Sequence, residues 1–168
     1  MKGTRLRVLV VIALATVAQV AVLGDVRPAG VHPELLLLVA VCAGLASGPE
    51  RGAVVGFLAG LAADLFLPTP MGLSALTYCL VAFAVGSLQS GILRATWWIP
   101  VATALAASAA GTVLYALVGA MVGQNQLLEP RRLAVIASMV ALMNALLTPA
   151  ATRIVSWSLR PTERAYAG

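Results

Sequence analysis

The reactive inventory of this 168-residue chain is small. It has one histidine, His32, two cysteines, Cys42 and Cys79, and one lysine, Lys2. A structural zinc site needs four Cys or His donors, and this set cannot build one. A phosphate-cradling loop needs a lysine directly after glycine, and the only lysine is the second residue. The runs Gly44-Leu45-Ala46-Ser47-Gly48 and Gly72-Leu73-Ser74 do not match the G-x-S-x-G of a nucleophile elbow. A serine–histidine pair would have to use His32, which lies among turn residues. Two carboxylates, Glu34 and Asp64, fall in apolar surroundings, with no lysine in the apolar segments and no histidine but His32, among the turn residues, to share acid–base work. Neither catalysis nor a cofactor is expected, and no metal site. Both cysteines sit inside apolar runs and read as small buried hydrophobes.

A stronger signal lies in spacing. Gly52, Gly56 and Gly60 recur at every fourth position, and Asp64 continues the row. Four residues advance a helix by about 400°, so the four positions form one slowly drifting stripe. Glycines in that register let another helix backbone approach closely, from the same bundle or from a partner. Asp64 has two readings. A carboxylate inside an apolar span is costly and turns toward protein or water. Alternatively, close to the Pro68 break, it reaches the outer headgroups.

The elements that would carry these residues follow from composition. The chain is 61% apolar and 10% charged, with a mean hydropathy of +0.97. Soluble domains hold roughly 45–50% apolar and about 25% charged residues, and a globule of this size cannot hide such an excess. The chain is therefore a membrane protein. A span needs about 20 apolar residues. Six candidates fit between the charges, at 8–24, 31–48, 52–67, 72–90, 97–122 and 133–157. The breaks carry turn residues: Arg27-Pro28-Ala29-Gly30, Gly48-Pro49-Glu50-Arg51 and Pro68-Thr69-Pro70-Met71-Gly72. Nothing outside the spans could fold as a soluble domain, so the expectation is one all-α bundle of six transmembrane helices over residues 1–168. The basic start and first apolar run resemble a secretory signal, read here as an uncleaved anchor because five further spans follow.

The net charge of +5 comes from basic residues scattered along the whole chain, which excludes a nucleic-acid patch. They serve better as topology signals. With the amino terminus inside, Lys2, Arg5, Arg7, Arg51, Arg94, Arg153, Arg160 and Arg164 are cytoplasmic, and Arg27, Arg131 and Arg132 are outside. That asymmetry obeys the positive-inside rule and places both termini in the cytoplasm. Trp97, Trp98 and Trp157 then fall at the inner interface, where aromatic belts form.

The run Gly52-Ala53-Val54-Val55-Gly56-Phe57-Leu58-Ala59-Gly60-Leu61-Ala62-Ala63-Asp64-Leu65 resembles the signature of the rod shape-determining protein MreD family, G-x3-G-F-x2-G-L-x2-D. The family's proline-containing break and G-x2-A-L-x-Y helix start are matched by Pro70-Met71-Gly72-Leu73-Ser74-Ala75-Leu76-Thr77-Tyr78. Pro33-Glu34-Leu35-Leu36-Leu37 is similar to its second span. The specific motif covers residues 52–78; elsewhere the likeness is one of size and hydropathy. The resemblance implies a multi-pass protein of the bacterial inner or plasma membrane. It also implies a fold similar to the substrate-binding components of energy-coupling-factor transporters, and a non-enzymatic scaffold role in wall elongation. The implied partners are MreC, a single-span protein, then RodA, a class B penicillin-binding protein and, indirectly, the MreB filament. The residues carrying helix packing or the partner interface would be Gly52, Gly56, Phe57, Gly60, Leu61, Asp64, Gly72 and Tyr78.

Other intramembrane polar residues, Gln19, Gln89 and Asn144, read as interhelical hydrogen-bonding glue. Ala104, Ser108 and Thr112, and Ala137, Ala141 and Ala145, give two more small-residue stripes. Two functions compete with the scaffold. A vitamin- or solute-binding transporter component would share the implied fold, but the chain has only nine aromatics, with no outer-loop cluster. It also lacks an A-x-x-x-A row in the first span. An intramembrane enzyme or ion pathway would rest on Asp64 and Glu34 alone.

Overall fold

The computed structural model describes residues 2–22, 34–66, 70–92, 98–124 and 129–159. His32, Trp97, Arg27, Arg94, Arg160 and Arg164, together with the side chain of Gln89, lie outside what is described. Among the described residues six α-helices follow in order: α1 Lys2–Val17, α2 Leu35–Ser47, α3 Pro49–Asp64, α4 Leu73–Ile92, α5 Ile99–Met121 and α6 Pro130–Leu159. A π-helical turn, Ala18–Val22, continues α1. No strand occurs among the described residues.

The ten residues from Leu36 to Leu45 are all buried. This follows from composition: Leu35-Leu36-Leu37-Leu38-Val39-Ala40-Val41 presents an apolar surface all round, and such a helix is stable only when covered on every side. The other helices supply that cover. They form a closed ring in the order α1, α3, α4, α5, α6 and back to α1, and each member also packs on α2. The outward faces of the ring remain apolar, with Leu6, Leu14, Val54, Leu88, Leu142 and Leu146 all exposed. That inversion suits a lipid surround rather than water.

Three helical stretches are long and apolar enough to cross a membrane: Thr4–Ala21, Ile99–Met121 and Pro130–Leu159. The apolar helices Leu35–Ser47 and Leu73–Leu88 are shorter. The six expected spans thus correspond to six helices of unequal reach. α2 has 13 residues, about 20 Å at 1.5 Å per residue, against a hydrocarbon core of roughly 30 Å.

Several boundaries differ from the hydropathy reading, for local reasons. α1 begins well ahead of residue 8, because Arg5 and Arg7 are good helix formers that an apolarity count excludes. α3 starts at Pro49 rather than 52, with proline in its first turn, where its missing N–H is no loss. α6 likewise starts at Pro130 and passes through Pro149 without ending. Near that proline the hydroxyls of Thr148 and Thr152 donate to the carbonyls of Asn144 and Thr148, at 2.7 and 2.9 Å. α2 and α3 are joined by one residue, Gly48, whose φ of +82° is open to glycine at little cost. Its N–H donates back to Gly44 O at 3.1 Å, while its own carbonyl accepts from Gly52 N at 2.9 Å.

Candidate functional site

The glycine stripe of α3 lies against α4. A Cβ added at Gly56 would sit 2.5 Å from Tyr78 O, and one at Gly60 would strike Ser74 O and the Ala75 backbone. At Gly52 the obstacle is Gly44 of α2, 2.6 Å away at its Cα. The facing helix has its own row at four-residue spacing: Ser74, Tyr78, Ala82 and Gly86. Gly86 closes one end of the contact, where a Cβ would come within 2.6 Å of Gly48 C and Pro49 N. α3 and α4 thus meet backbone to backbone along their length, and their contact is the most extensive in the molecule.

Asp64 ends this contact at the other end. It is 3% exposed, and its carboxylate accepts three backbone hydrogen bonds from the start of α4. Oδ2 accepts from Gly72 N at 2.8 Å and Ala75 N at 3.2 Å, and Oδ1 from Ser74 N at 3.0 Å. The one remaining N–H of that first turn, on Leu73, donates to Pro70 O at 3.3 Å. A helix start leaves its first four N–H groups without intrahelical partners, and carboxylates are favoured there by geometry and by the helix dipole. α4 therefore takes its cap from the last residue of α3. Gly72 has φ +99°, which lets the chain turn sharply into α4 beneath the carboxylate.

A second polar cluster surrounds the start of α2. Gln19, in the π-helical turn, accepts from Leu36 N at 3.2 Å. Asn144 of α6 donates through Nδ2 to Glu34 O at 3.3 Å and to Ser108 Oγ of α5 at 3.0 Å. The Tyr78 hydroxyl donates to Glu34 Oε2 at 3.4 Å. Four ring helices thus converge on the first turn of the core helix. Two fully buried oxygens, Ser74 Oγ and Asn144 Oδ1, have no hydrogen-bond partner. Among the described residues no group of three His, Cys, Asp or Glu side chains is placed to hold a metal.

The structure brings Gly52, Gly56, Gly60, Asp64, Gly72 and Tyr78 together in one α3–α4 hairpin. It separates Phe57 and Leu61 from them. Each lies one residue, about 100° of turn, beyond a stripe glycine, and both are exposed on the outer side of α3, at 47% and 37%. Gly44 and Gly86 complete the tight contact and were not singled out from sequence. The Ser74–Tyr78–Ala82–Gly86 row, interrupted by the large Tyr78, is the signal for Gly86 alone.

These features define a class: an all-helical integral membrane protein whose polar residues fasten helix ends inside the bundle. Within that class the chain belongs to the MreD family, since the family model for rod shape-determining protein MreD matches residues 2–149. The family is a shape-determining structural component. No curated protein and no solved structure matches the chain, so the expected likeness to energy-coupling-factor components is left without support.

Proposed function

We propose that the protein is a non-enzymatic membrane scaffold of the wall-elongation machinery, which binds an MreC-like single-span partner through the outer face of the α3–α4 hairpin. RodA, a class B penicillin-binding protein and MreB would join through that partner. The observation that carries this reading is the division of the signature residues. Its glycines and Asp64 are consumed in building the hairpin, whereas Phe57 and Leu61 have no role inside it. They are exposed, as are Val54 on α3 and Leu80 and Phe83 on α4. All three phenylalanines of the chain, Phe57, Phe66 and Phe83, are exposed on this hairpin. Aromatic side chains bring large contact area at low entropic cost and dominate helix-docking surfaces.

Co-purification from detergent tests the reading. The double variant Phe57→Ala/Leu61→Ala should keep the fold, because neither side chain is in the core, yet capture less MreC-like partner. A loss of about 2 kcal/mol, near 30-fold in affinity, is the scale for a docking hot spot. Leu142→Ala/Leu146→Ala on the outer face of α6 serves as control. Equal capture by both double variants and the unaltered protein would reject the α3–α4 face. Absence of any MreC-like protein from the wild-type pull-down would reject the scaffold reading itself.

A further inference from the structure

The geometry points to a binding site for an anionic phospholipid at the seam between α1 and α6, formed by Arg7, Arg153 and Trp157. The Arg7 guanidinium lies over the Trp157 ring, 5.0 Å from its centroid. This contact ties the start of α1 to the end of α6 and holds one cation at a fixed place. Arg153 is one turn before Trp157 on the same face of α6, within neighbour distance at i, i+4 spacing, and it is exposed. Among the described residues neither guanidinium is held by a carboxylate. One cation thus lies over an aromatic ring that is itself 54% exposed, and a second stands one turn away on the same helix face.

The surface leading away from this pair identifies the ligand class. Along the face of α6 that carries Arg153 and Trp157, Leu142 and Leu146 are 68% and 82% exposed. Across the seam, Val10 and Leu14 of α1 are also exposed. An apolar track thus runs along the bundle wall and ends in two arginines and a tryptophan. A soluble anion would use the arginines and ignore the track. A phospholipid uses both, with acyl chains along the leucines and a phosphate between the guanidiniums. Arginine binds phosphate through paired N–H donors, and tryptophan favours the headgroup level. Basic residues between helices on the cytoplasmic side are a recurring recognition mode for acidic lipids.

Native mass spectrometry of the full chain in non-ionic detergent tests the site. The probes are phosphatidylglycerol and phosphatidylcholine at matched concentration. The unaltered protein should retain phosphatidylglycerol preferentially. Arg153→Gln and Arg7→Gln should each lower that retention about fivefold, the scale for one arginine at an anionic surface. Arg153→Lys should keep part of it. Arg131→Gln removes the same charge at the opposite end of α6, some 33 Å away along the helix, and should leave retention unchanged. Equal retention of the two lipids, an equal loss in Arg131→Gln, or full competition by inorganic phosphate at constant ionic strength would each overturn the proposal.

Discussion

Asp64 shows how one side chain can decide whether a helix starts. Its carboxylate takes three of the four N–H groups that α4 leaves open at its beginning, in a place where water is scarce. Removing it strands buried donors, each costing roughly 1–3 kcal/mol. Asp64→Leu should therefore destabilise the protein by about 3 kcal/mol or more. Asp64→Asn keeps one acceptor oxygen and should cost about 1 kcal/mol. Thermal unfolding in detergent measures the difference, and amide exchange should accelerate first at Gly72, Ser74 and Ala75. An Asp64→Leu variant as stable as the unaltered protein would show that the cap is dispensable. The sequence makes Asp64 conspicuous, since it is a carboxylate continuing a glycine stripe. It does not reveal its partners, which are backbone groups 8 to 11 residues further on, because a cap taken from a neighbouring helix has no local signature. Gln19 and Asn144 were legible only as hydrogen-bonding glue for the same reason. Their specific task, fastening the first turn of α2, depends on which helix ends the fold brings beside them.

At the scale of the elements, the glycines inside helices separate into two kinds. Gly60 and Gly86 face backbone, which cannot give way, whereas Gly111 of α5 faces the tips of Leu37 at 3.2 Å. Gly60→Ala and Gly86→Ala should each cost about 1–3 kcal/mol by overpacking. Gly111→Ala should be near neutral. The Leu37 side chain can shift slightly, and alanine returns up to about 1 kcal/mol of helix propensity. Reversible unfolding of the three variants under one set of conditions gives the ranking. A Gly60→Ala variant as stable as Gly111→Ala would mean that the α3–α4 contact is looser than backbone to backbone. Periodicity made the α3 face of this contact readable, because glycine has few other reasons to recur every four residues in a span. The opposing face was hidden, since Tyr78 stands in its row and breaks the small-residue pattern. Helix ends were the least readable feature. A hydropathy window stops at Arg7, Arg51 and Arg132, whereas a helix can continue through arginine and begin at proline, as α3 and α6 do.

At the scale of the whole molecule, contacts between helix ends fix the relative directions of α1, α2, α3, α4 and α6. Gln19 at the end of α1 meets Leu36 at the start of α2, and Gly48 at the end of α2 lies against Gly86 late in α4. Asp64 at the end of α3 caps the start of α4, and Arg7 near the start of α1 meets Trp157 near the end of α6. The start of α1, the α2–α3 turn and the end of α6 therefore share one face of the bundle. That face carries Arg5, Arg7, Arg51 and Arg153, while Arg131 and Arg132 open α6 at the opposite face. Charge asymmetry and fold thus agree on a single axis, and the positive-inside rule assigns its direction. The prediction is that both termini and the α2–α3 turn are cytoplasmic. Single cysteines in a Cys42→Ala/Cys79→Ala background test it in intact cells with a membrane-impermeant thiol reagent. A cysteine at Gln126, in the segment between α5 and α6, should be labelled from outside. Cysteines at Glu50 and Thr162 should be labelled only after the membrane is opened. Labelling of Gln126 and Thr162 alike in intact cells would mean that α6, the one helix between them, does not cross. Failure of α2, the shortest helix, to cross would put Glu50 and Thr162 outside and Gln126 inside, with the start of α1 still cytoplasmic. Glu50 therefore reports on the core helix relative to the start of α1, and its protection in intact cells is the outcome the ring around α2 requires.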